Sequence, residues 1–362
     1  MVATEQIRRP ATIAVPGRPV TDPAGWTSEE MAGTDAWLYH LTDADIADLD
    51  RVVTALEKRS GSVNDIGRGD FSFPMLGATL AEIKEALLWG RGFAVIRGVP
   101  VERYSRLQAA IAFWCIGLHI GVPVSQNAKG HVLGHVKDLG GTSLKNPINR
   151  GYQTSERLPF HTDQCDVVGL LCLDTAPVGG DSLITSSITI HNEMLKRRPE
   201  LVAALAEPLY IDRRNEIPEG KDPWYRMPVF NYFQGYLSTY WTVSYIRSAQ
   251  RFEELPRFTP ELKEALDMFE ELAQELAFSM RMERGDIQLL HNHVVVHSRT
   301  AFEDTPDPDH RRHLYRLWLA TPDGRPLPPI FAEQYAHLKP GDRPAGGIIV
   351  PGTRFTAPLD AD

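Results

Sequence analysis

His161-Thr162-Asp163 sets an imidazole and a carboxylate two residues apart, and this spacing constrains the fold more than any other feature of the chain. On an extended strand, residues i and i+2 share a face, so His161 and Asp163 point together while Thr162 points into the wall behind. A third metal ligand has to come from far along the chain, on a strand that faces the first. His291, His293 and His297 share one parity on an ideal strand, and Val294-Val295-Val296 is strand-like, so each of the three is a candidate. Asp166, with the opposite parity to Asp163, is a weaker rival.

The surrounding pattern suits such a barrel. Short apolar runs at Phe93–Ile96, Asp166–Leu173, Leu183–Thr185, Asp286–Leu290, Val294–His297 and His313–Ala320 read as strands. Helices are expected from Thr42, a candidate N-cap, through Leu56, and at about Thr79–Trp89, Tyr104–Ile120, Thr189–Ala206 and Pro260–Met280. Short strands separated by long helical insertions predict a mainly β, α+β chain: a jelly-roll core with flanking helices. Residues 1–40 are read as an N-terminal arm, loose over 1–27, and residues 41–362 as one domain. That domain comprises accessory helices over 41–120, a core with helical insertions over about 121–325 and a tail over 326–362.

Composition excludes several functions. The chain has 362 residues, 43% of them apolar, a formal net charge of -9 and a pI near 5.8, with no basic stretch suited to nucleic acid. No apolar run approaches the ~20 residues that span a bilayer, and the N-terminus has no apolar signal core. Cys115, Cys165 and Cys172 form no CxxC pair, which fits a reduced, cytoplasmic compartment. Nothing in the sequence sets an oligomeric state.

Two histidines and one carboxylate leave three positions open on an octahedral metal, the ligand arrangement of non-haem Fe(II) oxygenases. Arg312 and Arg316 share a parity on the strand that follows, flanked by apolar residues. A buried guanidinium needs an anion, and its planar fork suits a carboxylate, such as the far end of 2-oxoglutarate. Ser182, in the turn after the first metal-bearing segment, could donate a hydroxyl to the same group. The same ligands could instead hold zinc and a water in a hydrolase, or the barrel could bind a ligand without turnover. The hydrolase reading gives the two arginines no role.

His161-Thr162-Asp163, the Gly179-Gly180-Asp181-Ser182 turn, Gly285-Asp286-Ile287, Asn292 through His297 and Arg311-Arg312…Arg316 together resemble the taurine-dioxygenase (TauD/TfdA) branch of Fe(II)/2-oxoglutarate oxygenases. The likeness covers roughly 158–319 and reaches back to the strand at 92–98. It implies a double-stranded β-helix, with His161, Asp163 and His297 as iron ligands and Arg312 on the distal carboxylate of 2-oxoglutarate. It also implies Ser182 where the family often has threonine, and Arg316 near the co-substrate or a substrate anion. The implied reaction consumes dioxygen and 2-oxoglutarate, releases succinate and carbon dioxide, and by default hydroxylates a small organic molecule. Desaturation, cyclisation, epoxidation and oxidative decarboxylation stay open. Asp163 argues against halogenation, which needs that coordination position for chloride.

The stretch Val122–Thr154 does not align with taurine dioxygenase itself, so taurine is not implied as substrate. Candidate substrate contacts are Gln126, Asn127, Tyr152 and Gln153 for hydrogen bonds and Trp224, Tyr225 and Tyr240 for apolar walls. That mixture suits an amino acid or another carboxylic acid.

Overall fold

A computed structural model of the chain describes residues 10, 12–59, 61–140, 151–307, 310–339 and 341–361. Residues 1–9 of the expected arm and 141–150 of the Val122–Thr154 stretch lie outside the described residues.

Two sheets form a jelly-roll core, with helices packed outside it. The larger has strands in the order Leu38–His40, Phe93–Arg97, Ile287–His291, Val167–Asp174, His313–Ala320 and Val122–Pro123, and Leu133–Val136 also pairs with His313–Ala320. The smaller runs Phe278–Met280, Ser182–Ser186, Val295–Arg299 and Leu158–His161. Alternation on His313–Ala320 separates two environments. Tyr315, Leu317 and Leu319 join the cluster formed by Asp43–Leu56, Leu76–Leu88 and Arg106–Ile120, while Arg316 and Trp318 line the interior cavity between the sheets. Gly117 lets its helix seat closely, since a Cβ there would lie 2.6 Å from Leu317 Cδ1.

Local chemistry explains the elements and their departures from expectation. The Thr42 hydroxyl accepts from the Asp45 N–H at 3.2 Å and the Asp45 carboxylate accepts from the Thr42 N–H at 2.9 Å, closing a capping box on Asp43–Leu56. The single helix expected over Thr189–Ala206 is two, Ser187–Arg197 and Pro199–Ala206, because Pro199 starts a helix well but cannot continue one. The helix expected to reach Met280 stops at Glu275. Phe278–Met280 then pairs with Ser182–Ser186, burying Phe278 and Met280 and exposing Ser279. The stretch expected as a loose arm contributes Ala14, Val20, Ala24 and Trp26 to the core. Among the described residues, no helix is long and apolar enough to cross a membrane.

Candidate metal centre and co-substrate pocket

The smaller sheet brings two imidazoles together. His161 ends Leu158–His161, His297 lies within Val295–Arg299, and they are partners in the antiparallel register. Their ring centroids are 4.3 Å apart. Asp163 lies beyond the strand, a departure from the simple i, i+2 reading. The chain leaves the sheet after His161, with the Thr162 N–H bonded to the Trp241 carbonyl at 2.7 Å. The Asn292 side-chain oxygen then accepts from the Asp163 N–H at 3.0 Å. One ligand atom from each of His161, Asp163 and His297 falls within 4.8 Å of the others.

The electrostatics suit a cation. Asp163 Oδ2 is buried, 3.9 Å from His297 Nε2, and among the described residues it completes no hydrogen bond of its own, although the Trp318 indole lies close enough to favour the carboxylate. Such an oxygen calls for a metal or a proton donor. Burial works against the Asp163 charge, but Arg316, His297 and His161 outweigh it and hold the carboxyl below its usual range. Burial, reinforced by His161, pushes His297 down to about 3, so it stands neutral, the form that ligates a metal. The His161 Nδ1 meets the Pro159 carbonyl at 2.9 Å. That bond fixes the tautomer and leaves Nε2 as the donor atom. These residues fit a divalent ion.

His293 and Asp166 are engaged elsewhere. A turn separates Ile287–His291 from Val295–Arg299, so the three histidines do not share one continuous strand. His293 Nε2 bonds Asp166 Oδ1 at 2.8 Å. Asp166 also takes Arg343 at 2.7 and 2.9 Å and the Thr321 N–H at 2.7 Å. His291 is buried, and its ring makes no hydrogen bond among the described residues. Asp166→Asn is expected to lower the unfolding free energy by about 3–5 kcal/mol, the cost of breaking a buried ion pair, while iron binding survives. A denaturant melt and a metal assay check this. Iron loss at unchanged stability would move Asp166 into the ligand set.

A cavity of about 270 Å³ opens from the three ligands and is lined by both arginines and Ser182. Arg316 Nη1 lies 3.7 Å from Asp163 Oδ1, and its Nε donates to Gln126 Oε1 at 2.7 Å. Gln126 Nε2 donates back to the Arg316 carbonyl at 2.9 Å, so the pair holds itself in place. Arg312 is buried, and its Nη1 has no partner among the described residues. Asp304 bonds the Arg312 backbone N–H, at 2.8 Å. Burial pushes the Arg312 guanidinium down to about 10, a strain that a bound anion would relieve. Gly180, at φ 77°, clears room for this side chain, since a Cβ there would lie 2.9 Å from Arg312 Nε. The Ser182 hydroxyl donates to Gln288 Oε1 at 2.9 Å.

The expected substrate contacts divide by location. Gln126 and Tyr152 line this cavity, with Tyr152 stacked on Arg316 at 4.7 Å. Asn127 and Gln153 line an adjoining cavity that shares Gln126, Tyr152 and Arg316. Trp224, Tyr225 and Tyr240 are not among the residues lining the metal cavity. Tyr225 and Tyr240 bond each other through their hydroxyls at 2.7 Å within the core, and Trp224 packs on Phe252. The walls also hold Arg299, Gln288, Arg214 and Thr242, which sequence reasoning missed. Arg299 had a readable signal, because it follows His297 by two on one strand. Arg214 had none: it lies in a loop, at φ 47°.

The family model for "Taurine catabolism dioxygenase TauD, TfdA family" matches residues 57–318. The chain belongs to the TauD/TfdA family. It is 34% identical to "FR-33289 synthase" of Streptomyces rubellomurinus over 336 residues, 90% of this chain and 98% of that one. Solved structures share the fold at low identity. Asparagine oxygenase, solved with Fe(II), 2S,3S-3-hydroxyasparagine and succinate, has a TM-score of 0.62 at 20% identity, covering 80% of this chain and 99% of its own. The non-heme iron oxygenase OrfP, solved with Fe, succinate and (3S)-hydroxy-L-Arg, has a TM-score of 0.58 at 16% identity, again over 80% and 99%. As a TauD/TfdA member, this chain is an Fe(II)- and 2-oxoglutarate-dependent dioxygenase with a double-stranded β-helix core. The zinc-hydrolase and non-catalytic readings are not favoured.

Proposed function

We propose that the chain hydroxylates a small organic acid, an amino acid or another carboxylic acid, inside this cavity. His161, Asp163 and His297 hold the iron. When bound, the iron couples oxidative decarboxylation of 2-oxoglutarate to dioxygen activation, chemistry that no side chain supplies alone. Arg312 takes the distal carboxylate of 2-oxoglutarate, and Ser182 donates to it once its hydroxyl turns away from Gln288. Arg316, fixed by Gln126, steadies Asp163 and faces the co-substrate or substrate from the metal side. The observation that carries the reading is one cavity joining a carboxylate oxygen at the metal ligands to a guanidinium nitrogen on Arg312, neither of them hydrogen-bonded among the described residues.

The acidic substrate follows from charge. The described walls carry four arginines, Arg214, Arg299, Arg312 and Arg316, against one carboxylate, Asp163. A divalent ion and the 2-oxoglutarate dianion cancel each other, so the walls stay positive after both bind. Arg214, half-buried, is stacked on Tyr245 at 3.9 Å and donates to the Ser244 carbonyl at 3.1 Å. The same cavity is lined by the buried Thr242, whose hydroxyl has no hydrogen-bond partner among the described residues. Cation and hydroxyl together suit an acidic group. The hydroxyasparagine and hydroxyarginine in the two solved neighbours are themselves amino acids, which supports this class.

The test is a panel of amino and carboxylic acids with their neutral amides, read by oxygen-dependent succinate release. Acids should stimulate release and amides should not. Arg214→Gln should raise KM for the active acid about tenfold or more, the scale of a charged hydrogen bond, and leave 2-oxoglutarate binding unchanged. Equal stimulation by the amides would overturn the acidic-substrate reading.

A further inference from the structure

We propose that Arg299 is a second arginine of the co-substrate clamp, so that the distal carboxylate of 2-oxoglutarate binds between Arg312 and Arg299. The inference rests on the assignment of Arg312 above.

The geometry comes from strand pairing. Arg299 follows His297 by two residues on Val295–Arg299, so both side chains project toward one face. Its Cα partner across the sheet is Ser182, the candidate hydroxyl donor. The Phe302 ring carries both guanidiniums, Arg299 at 4.7 Å and Arg312 at 5.1 Å from its centroid. Both arginines are buried, at 5% and 7% exposure, and both line the metal cavity.

Asp138 acts on Arg299 and Asp304 on Arg312 only through space. Among the described residues, no carboxylate forms an ion pair with either guanidinium. Arg299 Nε donates to the Thr300 carbonyl at 3.2 Å and Nη2 to the Glu156 carbonyl. Those two bonds hold its plane and leave Nη1 buried with no partner among the described residues, as on Arg312. Two buried like charges with no anion between them carry a desolvation and repulsion cost that a bound anion would offset. A carboxylate between them would meet one free N–H on each side, with the Ser182 hydroxyl close by. Its single negative charge would also screen the repulsion.

The experiment compares 2-oxoglutarate with 2-oxovalerate, which keeps the 2-oxo acid and chain length but ends in a methyl group. Dissociation constants are measured by anaerobic titration of the full-length Fe(II) protein, without turnover. Arg299→Met should weaken 2-oxoglutarate about tenfold to a hundredfold and leave 2-oxovalerate within about twofold. Arg299→Lys should keep part of the preference. Because each ratio is internal to one variant, a general loss of stability or of iron affinity cancels. Arg312→Met is the control. If it loses the preference while Arg299→Met and Arg299→Lys keep the wild-type ratio, the Arg299 proposal is overturned and the Arg312 assignment stands. If neither arginine variant changes the ratio, both fall. Equal weakening of both acids by Arg299→Met would make Arg299 a brace for the strand and overturn its place in the clamp.

Discussion

Asp163→Ala is expected to take oxygen-dependent succinate release to background and to weaken Fe(II) binding in the same protein. The reason is the number and kind of donors. His161 and His297 pack against each other across a strand pair, but two neutral imidazoles bring no charge to balance a divalent ion. Asp163 supplies that charge from a buried position, through an oxygen that completes no hydrogen bond of its own among the described residues. Its removal also leaves Arg316 beside an empty space instead of a carboxylate 3.7 Å away, so an added cation would face a bare guanidinium. Asp163→Asn separates shape from charge, since it fills the space and keeps one oxygen. It should retain more fold stability than alanine while still losing most iron affinity. Succinate release near the wild-type rate from Asp163→Ala, without added carboxylate, would remove Asp163 from the ligand set.

Arg312→Lys is expected to raise the dissociation constant for 2-oxoglutarate about tenfold to a hundredfold while Fe(II) affinity stays nearly intact. Lysine keeps the charge and loses the planar fork, and charged hydrogen bonds of this kind contribute about 1.5–3 kcal/mol. Arg312→Met should be worse, because the carboxylate would be desolvated without a charged partner. Arg316→Lys is the internal contrast. Its guanidinium is tied to Gln126 and faces Asp163, so it should disturb substrate binding more than co-substrate binding. Titrating 2-oxoglutarate into the anaerobic Fe(II) protein measures both variants before a substrate is known. An unchanged midpoint for Arg312→Met would end the clamp assignment, and the reverse ranking of Arg312 and Arg316 would exchange their roles.

What could be read in the sequence was what periodicity and capping control. His313–Ala320 was legible to the residue because its alternation has two readers: helices pack on one face and the cavity lies on the other. Thr42 announced its helix because a capping box is a local bargain between adjacent residues. His161 and Asp163 were legible as a pair, though not in their geometry. The bond between Thr162 and the Trp241 carbonyl that turns the chain off the strand is a long-range contact. The aromatic substrate candidates lie outside the metal cavity for a related reason. Trp224, Tyr225 and Tyr240 lie near turns and short strands, where alternation does not distinguish a core ring from a cavity wall, and hydroxyl pairing drew two of them inward. Arg214 is the opposite case. A loop residue in the left-handed region carries no periodic mark, so only the folded chain brings it to the cavity.

The central claim is that His297, rather than His293, completes the metal site with His161 and Asp163. The most direct measurement is a paired titration of Fe(II) and then 2-oxoglutarate into anaerobic His297→Ala and His293→Ala, following the weak visible charge-transfer band of the chelated co-substrate. His293→Ala should bind iron and develop the band, with a lowered unfolding midpoint because Asp166 has lost its imidazole partner. His297→Ala should bind iron weakly and show no band. A band retained in His297→Ala and lost in His293→Ala would contradict the account.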